Sequence, residues 1–478
     1  MYRTFGLFID GTWRGASDGN AADVVSPATE KPLGRAPVAT RADTEEAIES
    51  AARGLANWRA KPGHERADAL HRIADDMTRR TGEGARMICL ETGKPIAQAL
   101  REWVLSIEQF RWYAEEARRI YGRIVESRVP GGRFEVSREP VGIVGAFTAW
   151  NFPAALVARK AAPALAAGCS IVIRPSSQTP GVAMVMVDCF RAGGLPDGAV
   201  SLVVGPTSAT YAPIMAATSV RKVSLTGSTR VGQQMIRDAA ATVKKVSMEL
   251  GGNAPLIVFE DADLEMALNV AVPTKFANCG QVCVTPDRFF VHESLHGAFV
   301  AGFVARAKAL KLGDGLDPDT QMGPLIHAGR FSEIESIVAD AQRSGARLAT
   351  GGGRASAFNT GHFFEPTVLT DVTDNMKVFA EENFGPIAAI TRFANDGEVL
   401  ERANASDMGL SAYAFTRSPA RARRAVAELN AGMVGINSFA LAAAEAPFGG
   451  TNHSGMGREG GSEGIGDYLD TKLAQIVF

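Results

Sequence analysis

A chain of 478 residues exceeds what one hydrophobic core usually serves, so more than one domain is expected. Its composition, 46% hydrophobic and 21% charged, argues against disorder. A net charge of −2 provides neither a basic nucleic-acid surface nor an acidic tail.

In chain order, the first thirteen residues lack the long apolar core of a signal peptide. From 43 to 119, Ala47, Ile48, Ala51, Ala52 and Leu55, then Leu70, Ile73 and Met77, recur at helical spacing. Gly131-Gly132 between Ile124-Val125 and Phe134-Val136 predicts a hairpin over 122–138. Residues 141–158 carry no charge and nominally reach membrane-span length. Gly142, Gly145, Asn151 and Pro153 interrupt them, so strand, loop and helix start is the better reading.

Short apolar runs at 141–147, 170–173, 199–204, 222–225 and 243–248 then alternate with helical patterns at 154–167, 181–192, 209–217 and 231–240. Five strands and four crossovers predict a doubly wound parallel sheet of the Rossmann type. A second alternating series, from a strand at 256–259 and a helix at 264–278 to a strand at 433–436, predicts another α/β domain.

Five scattered cysteines, odd in number, argue against a disulfide framework and for a reducing, cytoplasmic setting. No CxxC or HExxH motif occurs and the seven histidines are dispersed, so no metal site is expected.

Four clusters could carry chemistry. Gly227-Ser-Thr-Arg-Val-Gly232 follows a strand and opens a helix, where free amides attract phosphate, although it is not the GxGxxG fingerprint. Asn151, flanked by Trp150 and by Phe152-Pro153, suits a rigid oxyanion donor; a helix-capping Asn is the plainer alternative. Glu249 stands at a strand end before two glycines, where a general base can sit, although most Glu residues are simply solvated. Cys283 lies on a loop after a helix, as a thiolate nucleophile would; a buried structural Cys is the commoner case, and Cys279 fits it.

Each cluster alone is weak. In order and spacing, however, Asn151-Phe152-Pro153, Arg174-Pro175-Ser176, Thr226-Gly227-Ser228-Thr229, Glu249-Leu250-Gly251-Gly252, Gly280-Gln281-Val282-Cys283, Glu382-Asn383-Phe384-Gly385-Pro386 and Pro447-Phe448-Gly449-Gly450 together resemble the aldehyde dehydrogenase superfamily. The likeness runs from about Leu7 to Lys472. It implies a cofactor-binding domain over 1–121 and 139–249, a catalytic domain over 250–440, and an oligomerisation arm from 122–138 and 460–478.

The resemblance implies that Cys283 attacks an aldehyde and that Asn151 and the Cys283 N–H hold the oxyanion. A thioester remains after hydride transfer, and Glu249 activates the water that hydrolyses it, with Lys160 relaying protons. Trp150, Arg174, Ser176, Ser177, Gly205, Thr226, Gly227, Ser228, Gly232, Leu250, Glu382 and Phe384 are implied around NAD or NADP. Arg159, Leu156, Ala277, Val282, Val284, Ala443 and Phe448 are implied around the aldehyde, and a homodimer or homotetramer is implied for the assembly.

The family's ribose-binding stretch carries a Glu that repels a 2′-phosphate. Here Arg174-Pro175-Ser176-Ser177 has serine in its place, which favours NADP. Wording around Asn253-Ala254-Pro255 and Gly460-Gly461-Ser462-Glu463 is most similar to succinate-semialdehyde and related ω-semialdehyde dehydrogenases. Of that group's three anion contacts, Arg159 matches one, while Ala277 and the alanines at 442–444 replace the others. The alternative substrate is a medium-sized or aromatic aldehyde in a wide apolar tunnel.

Competing classes fit less well. A cysteine hydrolase needs a His partner that no motif supplies, and a CoA-acylating dehydrogenase would not need Glu249. A catalytically silent binding protein would not need Asn151, Glu249 and Cys283 together.

Overall fold

The computed structural model describes residue 2 and residues 6–478. Met1 and residues 3–5, part of the stretch read for a leader, lie outside the described residues. Elements that position the site are labelled here; the others are given by their residues.

One sheet is built on β1 (Ile143–Phe147), β2 (Ser170–Arg174), β3 (Val200–Leu202), β4 (Val220–Thr226) and β5 (Lys245–Glu249), in the order β3-β2-β1-β4-β5. All five are parallel, as predicted. Every residue of β1 is buried, as expected of a strand covered on both faces. The crossovers are α1 (Pro153–Ala167), α2 (Pro180–Arg191), α3 (Thr207–Ala216) and α4 (Thr229–Ala240). The order reverses between β1 and β4, which opens a crevice at the carboxyl ends of the strands.

Antiparallel strands extend both edges of this sheet, a feature the alternation pattern did not predict. Leu7–Ile9 and Thr12–Arg14 lie beyond β3, and Gly455–Met456 lies beyond β5. The uncharged stretch at 141–158 divides into β1, a turn and the start of α1, and among the described residues no helix is long and apolar enough to cross a membrane.

The second sheet runs over β6 (Ala254–Val258), β7 (Pro286–His292), β8 (Thr367–Thr370), β9 (Ile387–Phe393), β10 (Ser411–Phe415) and β11 (Met433–Ile436), in the order β8-β9-β7-β6-β10-β11, with Arg347–Thr350 antiparallel at its edge. Its helices include α5 (Leu264–Phe276), α6 (Glu293–Lys308), α7 (Ala328–Arg343) and α8 (Pro419–Glu428).

The predicted helix at 264–278 ends two residues early. Asn278 and Cys279 take left-handed φ values of 48° and 56°, which an α-helix cannot contain. The predicted hairpin is present as Arg123–Glu126 and Gly132–Pro140, and Leu469–Val477 pairs with the latter along nine residues. This three-stranded sheet leaves Ile124, Leu473 and Val477 exposed.

Candidate active site

The crevice between the two sheets holds a cavity of about 610 Å³, within the range of small-molecule sites. Strand ends of the first sheet and loops of the second supply its walls. Asn151 follows β1, Thr226-Gly227-Ser228 follow β4, Glu249 ends β5, and Cys283 lies on the loop between α5 and β7.

Local sequence explains each placement. Pro153 stands at the first turn of α1 and Gly168 closes that helix with φ 92°, so the turn carrying Asn151 is fixed between strand and helix. Phe152, the N-cap, offers no capping side chain; instead Glu102 accepts hydrogen bonds from Ala154 N–H (2.8 Å) and Ala155 N–H (3.4 Å). Lys94, paired with Glu102 at 2.5 Å, donates to the Asn151 carbonyl at 2.7 Å and lies 3.9 Å from the centre of the Phe152 ring. Both charges are buried, so loss of either partner would strand the other at a cost of about 3–5 kcal/mol. Sequence reasoning missed this pair because its contacts span 8 to 57 residues.

The Cys283 loop is anchored by Gln281. Its side chain donates to the Asn278 carbonyl at 2.9 Å and accepts from Ile326 N–H at 3.0 Å. The Asn151 side-chain amide donates to the Gln281 carbonyl at 3.2 Å, which ties the asparagine to the cysteine loop. An amide has a second N–H for an oxyanion. Two glycines after Glu249 permit a close approach: a Cβ on Gly252 would come within 2.5 Å of the Cys283 carbonyl oxygen, and one on Gly251 within 2.5 Å of the Glu382 carboxylate.

Electrostatics favour neutral groups at rest. Burial pushes the Cys283 thiol up to about 12, and the carboxylates of Glu382 and Glu249 add to the shift while Arg159 opposes it. Glu249 is held well above the ordinary carboxylate range by burial and by Glu459, with Lys160 and Arg159 opposing. Both of its oxygens are buried and neither has a hydrogen-bond partner among the described residues, so their accepting capacity is unfilled. Glu382, raised to about 8 mainly by burial, accepts from Gly252 N–H at 3.1 Å.

Lys160 sits just behind the wall. It donates to Thr226 Oγ1 at 2.8 Å and pairs with Glu459, and both partners line the cavity. Sequence reasoning missed Glu459, which is brought in by backbone pairing with Phe448. Arg159, 9% exposed, stacks 4.0 Å from the centre of the Phe448 ring. Its guanidinium forms no ion pair or hydrogen bond among the described residues.

Of the other residues implied for substrate, Leu156, Val282, Val284 and Phe448 line the cavity, whereas Ala277 and Ala443 do not. Ala277 is the C-cap of α5, where the chain leaves the helix before its left-handed turn, and it is Ala442 that reaches the wall. Of those implied for cofactor, Trp150, Thr226, Gly227, Ser228, Leu250, Glu382 and Phe384 line this cavity. Arg174, Ser177 and Gly205 line a separate surface cavity of about 470 Å³. Ser176 lines neither; its hydroxyl accepts from Gln178 N–H at 3.2 Å within the turn. Gly232 also lies off both cavities and lets α4 pack on Leu250, whose Cδ2 would lie 2.5 Å from an added Cβ.

The sequence profile of the aldehyde dehydrogenase family matches residues 13–474. The chain belongs to that family. The 3-sulfolactaldehyde dehydrogenase of Pseudomonas putida is 44% identical over 465 residues, covering 97% of this chain and 95% of its own. The NADP(+) succinate-semialdehyde dehydrogenase of Escherichia coli is 41% identical, with 98% and 97% covered. The crystal structure of succinate-semialdehyde dehydrogenase from Burkholderia pseudomallei superposes with a TM-score of 0.97 at 42% identity, covering 99% of this chain and 98% of that one. Membership makes the chain an oxidoreductase acting on an aldehyde group, with the mixed α/β fold of the family.

Proposed function

We propose that the chain oxidises an aldehyde carrying an acid group at its far end to the corresponding carboxylate, with NADP preferred over NAD. The observation that carries the substrate reading is Arg159: a buried guanidinium that forms no ion pair or hydrogen bond among the described residues, in the same cavity as Cys283, Asn151 and Glu249.

The residues present suit a dinucleotide. The cavity lies at the switch point of a doubly wound sheet, and Ser228 opens α4 without a side-chain cap, leaving the first amides of that helix to an anion. Thr226, Gly227, Ser228, Leu250, Glu382 and Phe384 would hold the nicotinamide end, and Arg174, Ser177 and Gly205 the adenosine end. When bound, the dinucleotide accepts a hydride from the substrate carbon.

The chain's own groups perform the remaining steps. The Cys283 sulfur bonds to the aldehyde carbon as its proton passes to a base, and the carbonyl oxygen becomes an oxyanion facing the Asn151 amide. After oxidation a thioester remains. Glu249 takes a proton from water, the hydroxide adds to the acyl carbon, the C–S bond breaks, and the carboxylate leaves with Cys283 restored. A base whose affinity for protons is raised towards the working pH suits this step.

Arg159→Leu should lower kcat/KM for ω-carboxylated aldehydes by about 2–5 kcal/mol in transition-state binding and leave an uncharged aldehyde of equal length little changed. Equal loss across the matched pair would make Arg159 structural. The names of the relatives above, one acting on a sulfonated and one on a carboxylated aldehyde, support an anionic substrate. The apolar lining from Leu156, Val284, Ala442 and Phe448 favours as the second reading a bulkier or aromatic aldehyde, which the same panel separates.

For the cofactor, Arg174 donates to the Gly205 carbonyl at 3.1 Å, and Ser177 beside it is exposed, with no acidic side chain in that position. The guanidinium is thereby held at the cavity edge, where a phosphate can take its remaining N–H groups. kcat/KM with NADP should exceed that with NAD; equal or better use of NAD overturns the preference.

Five free thiols fit a reducing, cytoplasmic setting. The exposed apolar residues on Leu469–Val477 and its paired hairpin fit an arm that joins copies into a homodimer or homotetramer. We assign 122–138 and 460–478 to that arm, 1–121 and 139–249 to a cofactor-binding domain, and 250–440 to a catalytic domain.

A further inference from the structure

Arg330, on the first turn of α7, lines the catalytic cavity although no sequence motif singles it out. Its guanidinium bridges two consecutive carbonyls: Nη2 donates to Asn383 O and Nε donates to Phe384 O at 3.3 Å. Glu333 pairs with the guanidinium at 2.5 Å, and the guanidinium carbon of Arg330 lies 5.9 Å from the centre of the Phe384 ring.

The residue so held is in an unfavourable conformation. Phe384 has φ 47°, a left-handed value that a bulky side chain adopts only where its surroundings enforce it. The preceding Asn383 is fixed as well: its N–H donates to Asp287 at 3.1 Å and its side chain to the Val378 carbonyl at 2.8 Å. That leaves the Phe384 peptide itself to Arg330. From this turn the Phe384 ring meets Trp150 edge-on, with ring centres 5.5 Å apart at 86°. The following Gly385 carbonyl lies against Gly280 of the cysteine loop, where even a Cβ would not fit.

We infer that Arg330 is a positioning residue for dinucleotide binding: it holds Phe384 in its left-handed turn and so sets the wall that Phe384 and Trp150 present to the nicotinamide. The inference rests on the reading of Phe384 as a cofactor contact. A fork of N–H donors in one plane can span adjacent carbonyls, whereas a lysine ammonium at the end of a flexible stem cannot span both in fixed geometry.

The test measures KM for dinucleotide and for aldehyde in wild type, R330A, R330K, F384A and the R330A/F384A double variant. Dinucleotide affinity is also read directly, by quenching of tryptophan emission on addition of reduced cofactor. R330A should raise the dinucleotide KM roughly tenfold while the aldehyde KM moves less than about twofold, and R330K should recover only part of the loss. Because Arg330 acts through Phe384, adding R330A to F384A should raise the dinucleotide KM no further.

Additive losses in the double variant overturn the positioning role. So does a wild-type dinucleotide KM in R330A when F384A is impaired. A wild-type dinucleotide KM in F384A counts instead against Phe384 as a cofactor contact. Should R330A fail to fold, R330K decides: an unchanged dinucleotide KM there overturns the inference.

Discussion

Replacing Cys283 with alanine should abolish dehydrogenase turnover, a loss on the order of 10⁴-fold or more because the covalent route has no other nucleophile. The neighbouring thiols cannot substitute. Cys279 is fully buried in the core around β6 and β7, with its thiol pushed far up by burial, and Cys89, Cys169 and Cys189 are also buried. Cys283 alone is partly open to the cavity. Cys279→Ala should therefore keep most activity and lose about 1 kcal/mol of stability through a small cavity. Its left-handed backbone is a strain that alanine shares with cysteine, so the loop geometry should survive. Initial rates with a good aldehyde, alongside thermal melting of both variants, check the pair. Equal loss of activity in two folded proteins would move the nucleophile away from Cys283.

Why Cys283 was legible in the sequence and Lys94 was not comes down to range. The strands of the doubly wound sheet are short, mostly apolar runs alternating with helical patterns, so their order of appearance predicted a parallel sheet before any contact was known. The cavity residues Asn151, Thr226, Glu249 and Cys283 sit at strand ends or on loops beside such runs, which local motifs mark.

Elements that depend on distant partners carry no local mark. Gly455–Met456 becomes a strand only because the edge of β5 accepts it, and Leu469–Val477 because Gly132–Pro140 lies beside it. Lys94 and Glu102 read as ordinary helix-end and helix charges; only their burial against the Asn151 turn gives them a task. The end of α5 was overrun because Ala277-Asn278-Cys279 does not break an apolar period, while hydrogen bonds from Asn278 to Asn151 and Gln281 impose the left-handed turn. That turn is also what leaves Ala277 off the substrate wall. For the same reason Ala443 and Ala442 could not be distinguished, since neighbours in an irregular segment have no fixed facing.

Glu249→Gln should slow steady turnover by about 10²–10⁴-fold, the scale of a lost general base, while a burst of reduced cofactor stoichiometric with active sites still forms. The amide keeps the size of the carboxyl but cannot take a proton from water, so acyl-enzyme should accumulate on Cys283. Absence of both burst and trapped acyl-enzyme in rapid mixing would place Glu249 earlier, as the base that deprotonates the thiol. The pH profile carries the same information. With the Cys283 thiol raised to about 12 and Glu249 held well above the ordinary carboxylate range, wild-type kcat should keep rising with pH beyond the range where an ordinary carboxylate has already lost its proton. The part of that rise due to Glu249 should vanish in the variant. Stability should move the other way. A carboxyl whose affinity for protons is raised by folding is most compatible with the native state below its unfolded value, and that compatibility is lost as pH climbs towards the folded value. Glutamine has no such dependence and also removes the repulsion between Glu249 and Glu459. The variant should thus melt at or above the wild-type temperature, with the gap widening as pH increases. A variant that melts lower than wild type at every pH would mean that the carboxylate, against its surroundings, stabilises the fold.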